Sequence, residues 1–579
     1  MTRFRQALPW ILGALAATLL FTALVAYTPF EYAGTDDAPI LRSFMGYEGG
    51  EPAHYSLLVH TVLAWILWGL AKGFPGVAWF SILQLAFLWL ATAVVVKSFA
   101  RGAQRRGLPV WLGALFGVGL TLAGALWISC RVSFTTTAAW LGAAAVAQLV
   151  SIDWAGDTDK AVRRGLLLSV LLLVLCYFLR QVSVVPPLLF WLLGLGVAGL
   201  SYFGKRRGKR AVRPLAAGLA VCLGSLLLLS GVRLIETRML GLEPFQRWED
   251  ASGELLDYAD LDNLSPSDDT LAQIGWSREE YTLFTYWYFM DDNINPDTLH
   301  TLYTTTFQTP AKPLGERLVA SLHTVGFAVQ ENPPQAWALY LGLGAAALCL
   351  LLALLLRPAA PWGWLGALGA PLLALALLGY LGWEGRLPMR ALVSVTLPMA
   401  ALTLALLLAA LPAARGAGAK GIVCLALCAG LLVPVWQATA LSWQAAAPMP
   451  AGPDDPETPV EADLDEYALE NPDTLFIYDL SLVCDRRLFP DTSAGIPGNV
   501  LFWGGHPARS PSWYAMLAKY GITELNASLF LQDNVLVAST DPEPWPSLTA
   551  YIGQQTGQAV DWEYADSYGY INFFRIYAY

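Results

Sequence analysis

Two adjacent carboxylates follow the first apolar segment of this sequence and are its residues best suited to chemistry. Asp36 and Asp37 lie in the stretch GTDDAPILRSF, shortly after an apolar run that ends near Tyr27. A carboxylate can act as general base toward a hydroxyl group, and either one could instead bind a divalent cation such as Mg or Mn. Like charges this close raise one pKa, which suits a base. The alternative interpretation is an ordinary solvated loop.

Cationic side chains near the ends of apolar segments could supply the complementary charge for a phosphate group. An arginine guanidinium matches phosphate oxygens with two parallel hydrogen bonds. The alternative is that such arginines only extend toward lipid headgroups. The candidate substrate-binding residues are Arg42, His54, Arg131, Arg180, Arg386 and Arg390.

A second acidic pair, Asp291 and Asp292, occurs in a long polar stretch of the chain. We expect it to lie at a solvated helix end and to carry no chemistry.

The composition indicates a polytopic membrane protein. Of the 579 residues, 56% are hydrophobic and only 14% are charged, whereas soluble chains carry about 25% charged residues. Apolar runs of about 20 residues recur, as a hydrocarbon core requires. The predicted spans are 8–27, 78–98, 108–130, 136–152, 165–181, 184–204, 214–235, 335–356, 361–383, 389–412 and 420–442.

The apolar run 55–74 decides the topology, because it is also long enough to cross. If it lies along the outer interface, 18 of the 35 Lys and Arg residues fall into short loops on one side. Short cytoplasmic loops are enriched in Lys and Arg. We therefore predict about eleven spans and an interfacial helix, with the N-terminus in the cytoplasm and the C-terminal domain outside the cell membrane. An ordinary span at 55–74 is the alternative.

The pattern divides the chain into a membrane module at 1–235, with its first outer loop at 28–77, and membrane helices at 335–442. An extracytoplasmic region at 236–334 separates them. A Pro-rich acidic linker at 443–465 precedes a small α/β domain at 466–579. In the latter we predict strands at TLFIYDL and NVLFWGG, a strand pair around LFLQDNVLVAST, and a C-terminal hairpin. From residue 443 onward there are 19 Asp and Glu against 5 Lys and Arg, so nucleic acid is a poor partner.

The stretches GTDDAPILRSF and GGEPAHYSLLVHTVLAWILWGL, with the predicted topology, resemble the glycosyltransferase C superfamily. That resemblance implies a membrane enzyme that uses a polyprenyl-phosphate-linked sugar. It also implies that Asp36 or Asp37 is the base or a metal ligand. More narrowly, the chain resembles bacterial multi-pass membrane proteins from which no activity carries over.

The predicted function is transfer of a sugar from a polyprenyl-phosphate donor to a glycan, lipid or protein acceptor on the outer face. A polymerase or ligase of lipid-linked polysaccharides is a second hypothesis that shares the donor. A transporter or flippase is disfavoured, because the spans hold no central charge and no internal repeat. A non-catalytic cell-envelope scaffold is the remaining alternative, and it would make Asp36 and Asp37 dispensable.

Overall fold

The computed structural model shows an α-helical polytopic membrane protein with a small C-terminal α/β domain. It describes residues 2–579 apart from 29, 35, 155–158, 206–211, 260, 262–263, 309–312, 356–361, 412–427, 447–459, 480–486, 506–507 and 570.

Among the described residues, eight helices are long and apolar enough to cross a membrane. Two shorter apolar helices and a helix near the end of the membrane region occupy the other predicted spans. In chain order these eleven helices are α1 (Thr2–Tyr27), α4 (Trp79–Arg105), α5 (Val110–Gly124), α7 (Phe134–Val150), α8 (Asp159–Leu179), α9 (Val185–Lys205), α10 (Val212–Met239), α16 (Pro333–Leu355), α17 (Gly363–Trp383), α18 (Met389–Ala410) and α19 (Leu432–Ala446).

Two predicted spans differ in their bounds from the helices that form. The span predicted at 108–130 is divided, because α5 ends at Gly124 and a separate short helix, α6 (Leu126–Cys130), follows. Glycine is a weak helix former, which favours a break there. The span predicted at 420–442 lies partly outside the described residues, and α19 continues past its predicted end.

Only part of the segment 55–74 is helical. Its helix, α3 (Thr61–Gly73), has 13 residues and is therefore about 20 Å long, whereas a hydrocarbon core is ~30 Å thick. The His60 side chain accepts a hydrogen bond from the Val62 amide and so starts the helix late. The alternative of an ordinary span is thus less favoured than the interfacial helix, which stays a prediction.

The two ends of the helical bundle differ in their connections. At one end, Arg105 donates to the Ser151 carbonyl after α7 and Arg106 donates to the Ala409 carbonyl in the last turn of α18. At the other end, the chain before α7 and the start of α18 meet the loop after α1.

The region between α10 and α16 is helical. It contains α11 (Glu243–Tyr258), α12 (Asp268–Ile274), α13 (Arg278–Thr285), α14 (Pro296–Leu302), a π-helical turn at Tyr303–Phe307, and α15 (Leu314–Glu331).

The C-terminal domain is built on a mixed five-stranded sheet. Its strands are β3 (Leu475–Tyr478), β4 (Val500–Phe502), β5 (Val535–Ser539), β6 (Val560–Tyr568) and β7 (Ile571–Ala578), in the order β4-β3-β5-β7-β6. β3, β4 and β5 are parallel, and β7 is antiparallel to β5 and β6. Its helices are α20 (Val460–Glu470), α21 (Pro511–Lys519) and α22 (Pro546–Thr556).

The strand pair predicted around LFLQDNVLVAST is wrong, because only β5 forms there. Residues Ala527–Leu531 form a short 3-10 helix, whose first turn is capped by the Asn526 side chain. An Asn side chain that bonds the backbone two residues ahead favours such a turn over a strand.

One hydrophobic core joins the C-terminal domain to the region after α10. Phe284 and Phe289 from that region pack in the same cluster as Trp503 and Tyr551 of the C-terminal domain. Asp291 lies at this junction, where it is buried and accepts a hydrogen bond from the Tyr551 hydroxyl. The solvated position expected for Asp291 is therefore wrong.

Candidate functional site

A short parallel strand pair brings the loop after α1 to the chain that enters α7. β1 (Glu31–Tyr32) pairs with β2 (Arg131–Val132), and the Ala33 amide donates to the Val132 carbonyl at 2.8 Å. Arg131 forms an ion pair with Glu31 across this pair. Asp36 and Asp37 are therefore held beside the first turn of α7.

The two carboxylates stand at the start of a short helix. α2 (Asp37–Met45) begins with Asp36 as its N-cap residue and Asp37 in its first turn, where a negative charge is favoured by the helix dipole. The helix ends at Gly46, whose φ of 99° is the left-handed conformation that glycine adopts without strain. The C-terminal end of α2 is thus fixed by the local sequence.

Asp36 is the accessible carboxylate of the pair. Its Oδ2 atom lies 2.7 Å from Nη1 of Arg390, which belongs to the first turn of α18. The two side chains are 30% and 32% exposed, respectively. This ion pair joins residues 354 positions apart and leaves both groups open to a ligand.

Asp37 is the buried carboxylate. Its Oδ1 atom accepts hydrogen bonds from the Phe134 amide at 2.8 Å and from Nε2 of Gln84 at 3.4 Å. It therefore satisfies a backbone N–H group at the N-terminus of α7 that has no partner within the helix. The pKa of Asp37 is raised to about 7, and burial of the carboxylate is the largest cause.

Arg180 and Arg386 add positive charge around Asp36. Arg180 follows α8, donates to Oγ1 of Thr135 at 2.6 Å and lies over the Phe134 ring. Burial, followed by the neighbouring Arg390, lowers the pKa of Arg180 to about 10, and Asp36 acts in the opposite direction. The guanidinium therefore remains charged at neutral pH, and an added anion would stabilise it.

Arg386 precedes α18 and forms an ion pair with Asp257 at the end of α11. It also lies close enough to Arg180 to act on the charge of that residue. The structure thus brings together five of the eight residues predicted for the site: Asp36, Asp37, Arg180, Arg386 and Arg390.

The other three predicted site residues have partners of a different kind. Arg131 holds the strand pair through Glu31. Arg42 forms a buried ion pair with Asp465 of α20, with Nη2 and Oδ1 3.0 Å apart. The ring of His54 packs against aromatic rings, which belong to Tyr55, Trp65 and Trp68. A substrate-binding role for these three residues stays a prediction.

The oxygen atoms predicted to bind a divalent cation have other partners in the structure. Asp36 faces a guanidinium, and Oδ1 of Asp37 is occupied by two N–H donors. In the part of the chain that the structure describes, no three His, Cys, Asp or Glu side chains are grouped to hold a metal ion. Mg²⁺ prefers near-octahedral oxygen ligands, so a metal-binding role for the pair stays a prediction and we derive no step through a metal.

Sequence reasoning missed the polar residues that position the pair. Gln84 offered a signal, since it is an uncharged polar side chain inside the apolar span 78–98. Asp257 and Asp465 offered none, because their partners lie more than 120 positions away along the chain.

No protein-family model and no curated protein matches the chain. A comparison with solved structures finds, among others, the apo crystal structure of the Archaeoglobus fulgidus oligosaccharyltransferase, with a TM-score of 0.41 and 12% identity. That match covers 93% of this chain and 69% of the other. At this TM-score the likeness does not inform the site, which we interpret from its own geometry.

Proposed function

We propose that this protein is a membrane glycosyltransferase. It transfers a sugar from a polyprenyl-phosphate donor to an acceptor hydroxyl on the outer face of the membrane. The observation that carries the proposal is the accessible Asp36 carboxylate, paired with Arg390 and close to Arg180, at one end of an apolar helical bundle.

The arginines suit the phosphate of a lipid-linked donor. A lipid phosphate lies at the membrane interface, which is the level of helix ends such as those that carry Arg180 and Arg390. A guanidinium has five N–H donors, so Arg390 can bind a phosphate oxygen and still contact Asp36. Arg180 and Arg386 would share the remaining phosphate charge.

Asp36 would then act as the general base. The acceptor hydroxyl attacks the anomeric carbon of the donor sugar, and the bond from that carbon to the phosphate oxygen breaks with inversion. The hydroxyl proton passes to Asp36, while the polyprenyl phosphate leaves with the bonding electrons and remains bound to the arginines. Asp37 takes no part in the bond changes but holds α2 against α7.

The test compares Asp36→Asn and Asp37→Asn with the wild type. Both the sugar content of surface glycans in a complemented deletion strain and sugar transfer by the purified protein in nanodiscs would be measured. We expect Asp36→Asn to lose at least about 100-fold in rate, since general base catalysis contributes 10²–10⁴-fold. Asp37→Asn should keep most of its rate, because an amide oxygen can still accept from Phe134.

Asp533→Asn serves as the matched control, since Asp533 is an exposed aspartate in the C-terminal domain. Normal sugar transfer by a well-expressed Asp36→Asn protein would refute the proposal.

A further inference from the structure

Helix α15, in the region predicted to be extracytoplasmic, exposes a row of large apolar side chains. Leu314, Leu318 and Leu322 are 68%, 51% and 61% exposed. They follow one another at spacings of four residues and therefore share one side of the helix. The only buried residues of α15 are Ser321 and Ala328, which lie on a neighbouring side. A water-facing helix would not expose leucine in this pattern.

The opposite side of α15 is polar. Glu316, His323 and Gln330 are exposed and follow one another at spacings of seven residues, which places them in a second row. At 3.6 residues per turn, the centres of the two rows lie about 140° apart around the helix. A helix with one apolar and one polar side is typical of a position in the plane of a membrane interface.

The buried side of α15 packs against the end of α17. Oγ of Ser321 donates to the Gly379 carbonyl at 2.7 Å. A Cβ atom at Gly382 would come within 2.6 Å of the Ser321 carbonyl oxygen, so the absence of a side chain allows the two backbones to approach. The Arg317 guanidinium lies 3.8 Å from the centre of the Trp383 ring. α15 is therefore fixed to the last turn of a membrane helix.

This contact lies at the level of the membrane boundary. Trp383 ends α17, and Trp337 and Tyr340 pack together near the start of α16. Tryptophan and tyrosine are enriched where membrane helices meet water. Ala328 of α15 belongs to the same core cluster as the membrane helices, and α16 begins at Pro333, directly after α15 ends at Glu331.

The apolar row adjoins a surface that already faces lipid. On α17, Leu372, Leu375 and Tyr380 are 57%, 56% and 62% exposed, and Tyr380 follows Gly379, the partner of Ser321. The charged residues of α15 are two glutamates and one arginine, which gives no net attraction to anionic headgroups. Apolar contact with acyl chains is therefore the interaction that the row favours.

We propose that α15 lies in the membrane interface, with its apolar row inserted among the acyl chains of lipids and its polar row in water. It anchors the region between α10 and α16 to the membrane next to the end of α17. This placement does not depend on the glycosyltransferase function.

Spin labels at two adjacent positions test the placement. Leu322→Cys and His323→Cys lie at the middle of α15, on the apolar and the polar row, and both positions are exposed. Each variant is made in a background with serine at Cys424, Cys428 and Cys484, labelled, and placed in nanodiscs of phosphatidylcholine. Paramagnetic resonance then measures collisions of the label with oxygen, which is concentrated in hydrocarbon, and with a water-soluble nickel chelate.

We expect a severalfold higher ratio of oxygen to nickel collisions at Leu322→Cys than at His323→Cys. Leu372→Cys on α17 is the reference for lipid, and Thr523→Cys in the C-terminal domain is the reference for water, since both positions are exposed. The background protein without an added cysteine gives the signal to subtract, because Cys130, Cys176, Cys222 and Cys349 are buried.

Three results would overturn the proposal. Nickel collisions at Leu322→Cys as frequent as at Thr523→Cys would place the apolar row in water. Oxygen collisions at both Leu322→Cys and His323→Cys, without nickel collisions, would mean that α15 crosses the membrane. Few collisions of either kind at Leu322→Cys would mean that protein, such as a second copy of the chain, covers the row.

Discussion

The two adjacent carboxylates have different surroundings and therefore different roles. Asp36 is accessible and faces Arg390, while Asp37 is 2% exposed and accepts from the backbone of α7. The two side chains have different surroundings because successive side chains at the start of a helix point in different directions. A chemical role suits the first carboxylate and a structural role the second.

The raised pKa of Asp37 leads us to predict that the stability of the protein depends on pH. Its pKa is about 7 in the folded protein and about 3.9 in an unfolded chain. Between these values the folded state retains a proton that the unfolded state has released, so stability falls as the pH rises from about 4 to about 7. The full effect is on the order of 4 kcal/mol at 1.36 kcal/mol per pKa unit.

The check is the Tm of the purified protein at pH 5 and pH 8, for the wild type and Asp37→Asn. We expect the wild type to lose more Tm between these pH values than the variant. Glu280, whose pKa burial raises to about 8, contributes equally to both proteins and cancels. The same shift in both would show that Asp37 does not titrate in this range.

We predict that substitution of Arg180 weakens the binding of the donor. Arg180→Gln removes a charge from the proposed phosphate site and should raise the donor KM about ten- to hundredfold, because hydrogen bonds to charged groups contribute about 1.5–3 kcal/mol. Steady-state transfer assays at varied donor concentration measure this value. Arg247→Gln, at an exposed position of α11, is the comparison, and an unchanged donor KM in Arg180→Gln would remove Arg180 from the site.

At the scale of elements, α2 is clamped between the membrane helices and the C-terminal domain. Its first turn contacts α7 and α18 through Asp37 and Asp36. Its last turn carries Arg42, which pairs with Asp465 of α20. The C-terminal domain therefore positions the helix that presents the proposed base.

A charge exchange tests this clamp. Arg42→Asp places a second carboxylate beside the buried Asp465, and loss of one partner of a buried pair costs about 3–5 kcal/mol. We expect a lower Tm and lower activity in Arg42→Asp, with substantial recovery of both in Arg42→Asp/Asp465→Arg. The exposed pair Arg575 and Glu563, 3.8 Å apart, should show little effect on reversal, and a double variant as damaged as the single one would contradict the clamp.

At the scale of the whole molecule, all five assembled site residues lie at the bundle end that adjoins the C-terminal domain. The opposite end carries arginines that hold the last turns of α7 and α18. This arrangement, together with the enrichment of cytoplasmic loops in Lys and Arg, predicts that the site and the C-terminal domain face outward.

Cysteine labelling in intact cells tests the orientation. In a background with serine at Cys424, Cys428 and Cys484, a cysteine replaces either Thr523 in the C-terminal domain or Arg163 near the start of α8, both exposed. A membrane-impermeant maleimide should label the first variant in intact cells and the second only after permeabilisation. The reverse pattern would place the C-terminal domain in the cytoplasm.

The membrane class, most spans and the candidate carboxylates can be predicted from the sequence. Apolar runs have to match the thickness of the bilayer, so their lengths are visible without a structure. The Lys and Arg loops indicated that 55–74 does not cross, and the 13-residue helix α3 agrees with this prediction. Asp36 and Asp37 are candidates because adjacent carboxylates can act as a general base or bind a metal ion.

Which of the two carboxylates is accessible, and which arginines surround it, depends on contacts between residues far apart in the sequence. Arg390 reaches Asp36 across 354 positions and Arg42 reaches Asp465 across 423, and no local pattern encodes contacts at such separations. These partners meet because helices that are distant in the sequence pack against α2. Asp36 is accessible and Asp37 is buried although they are adjacent in the sequence. This difference in exposure is likewise a result of helix packing.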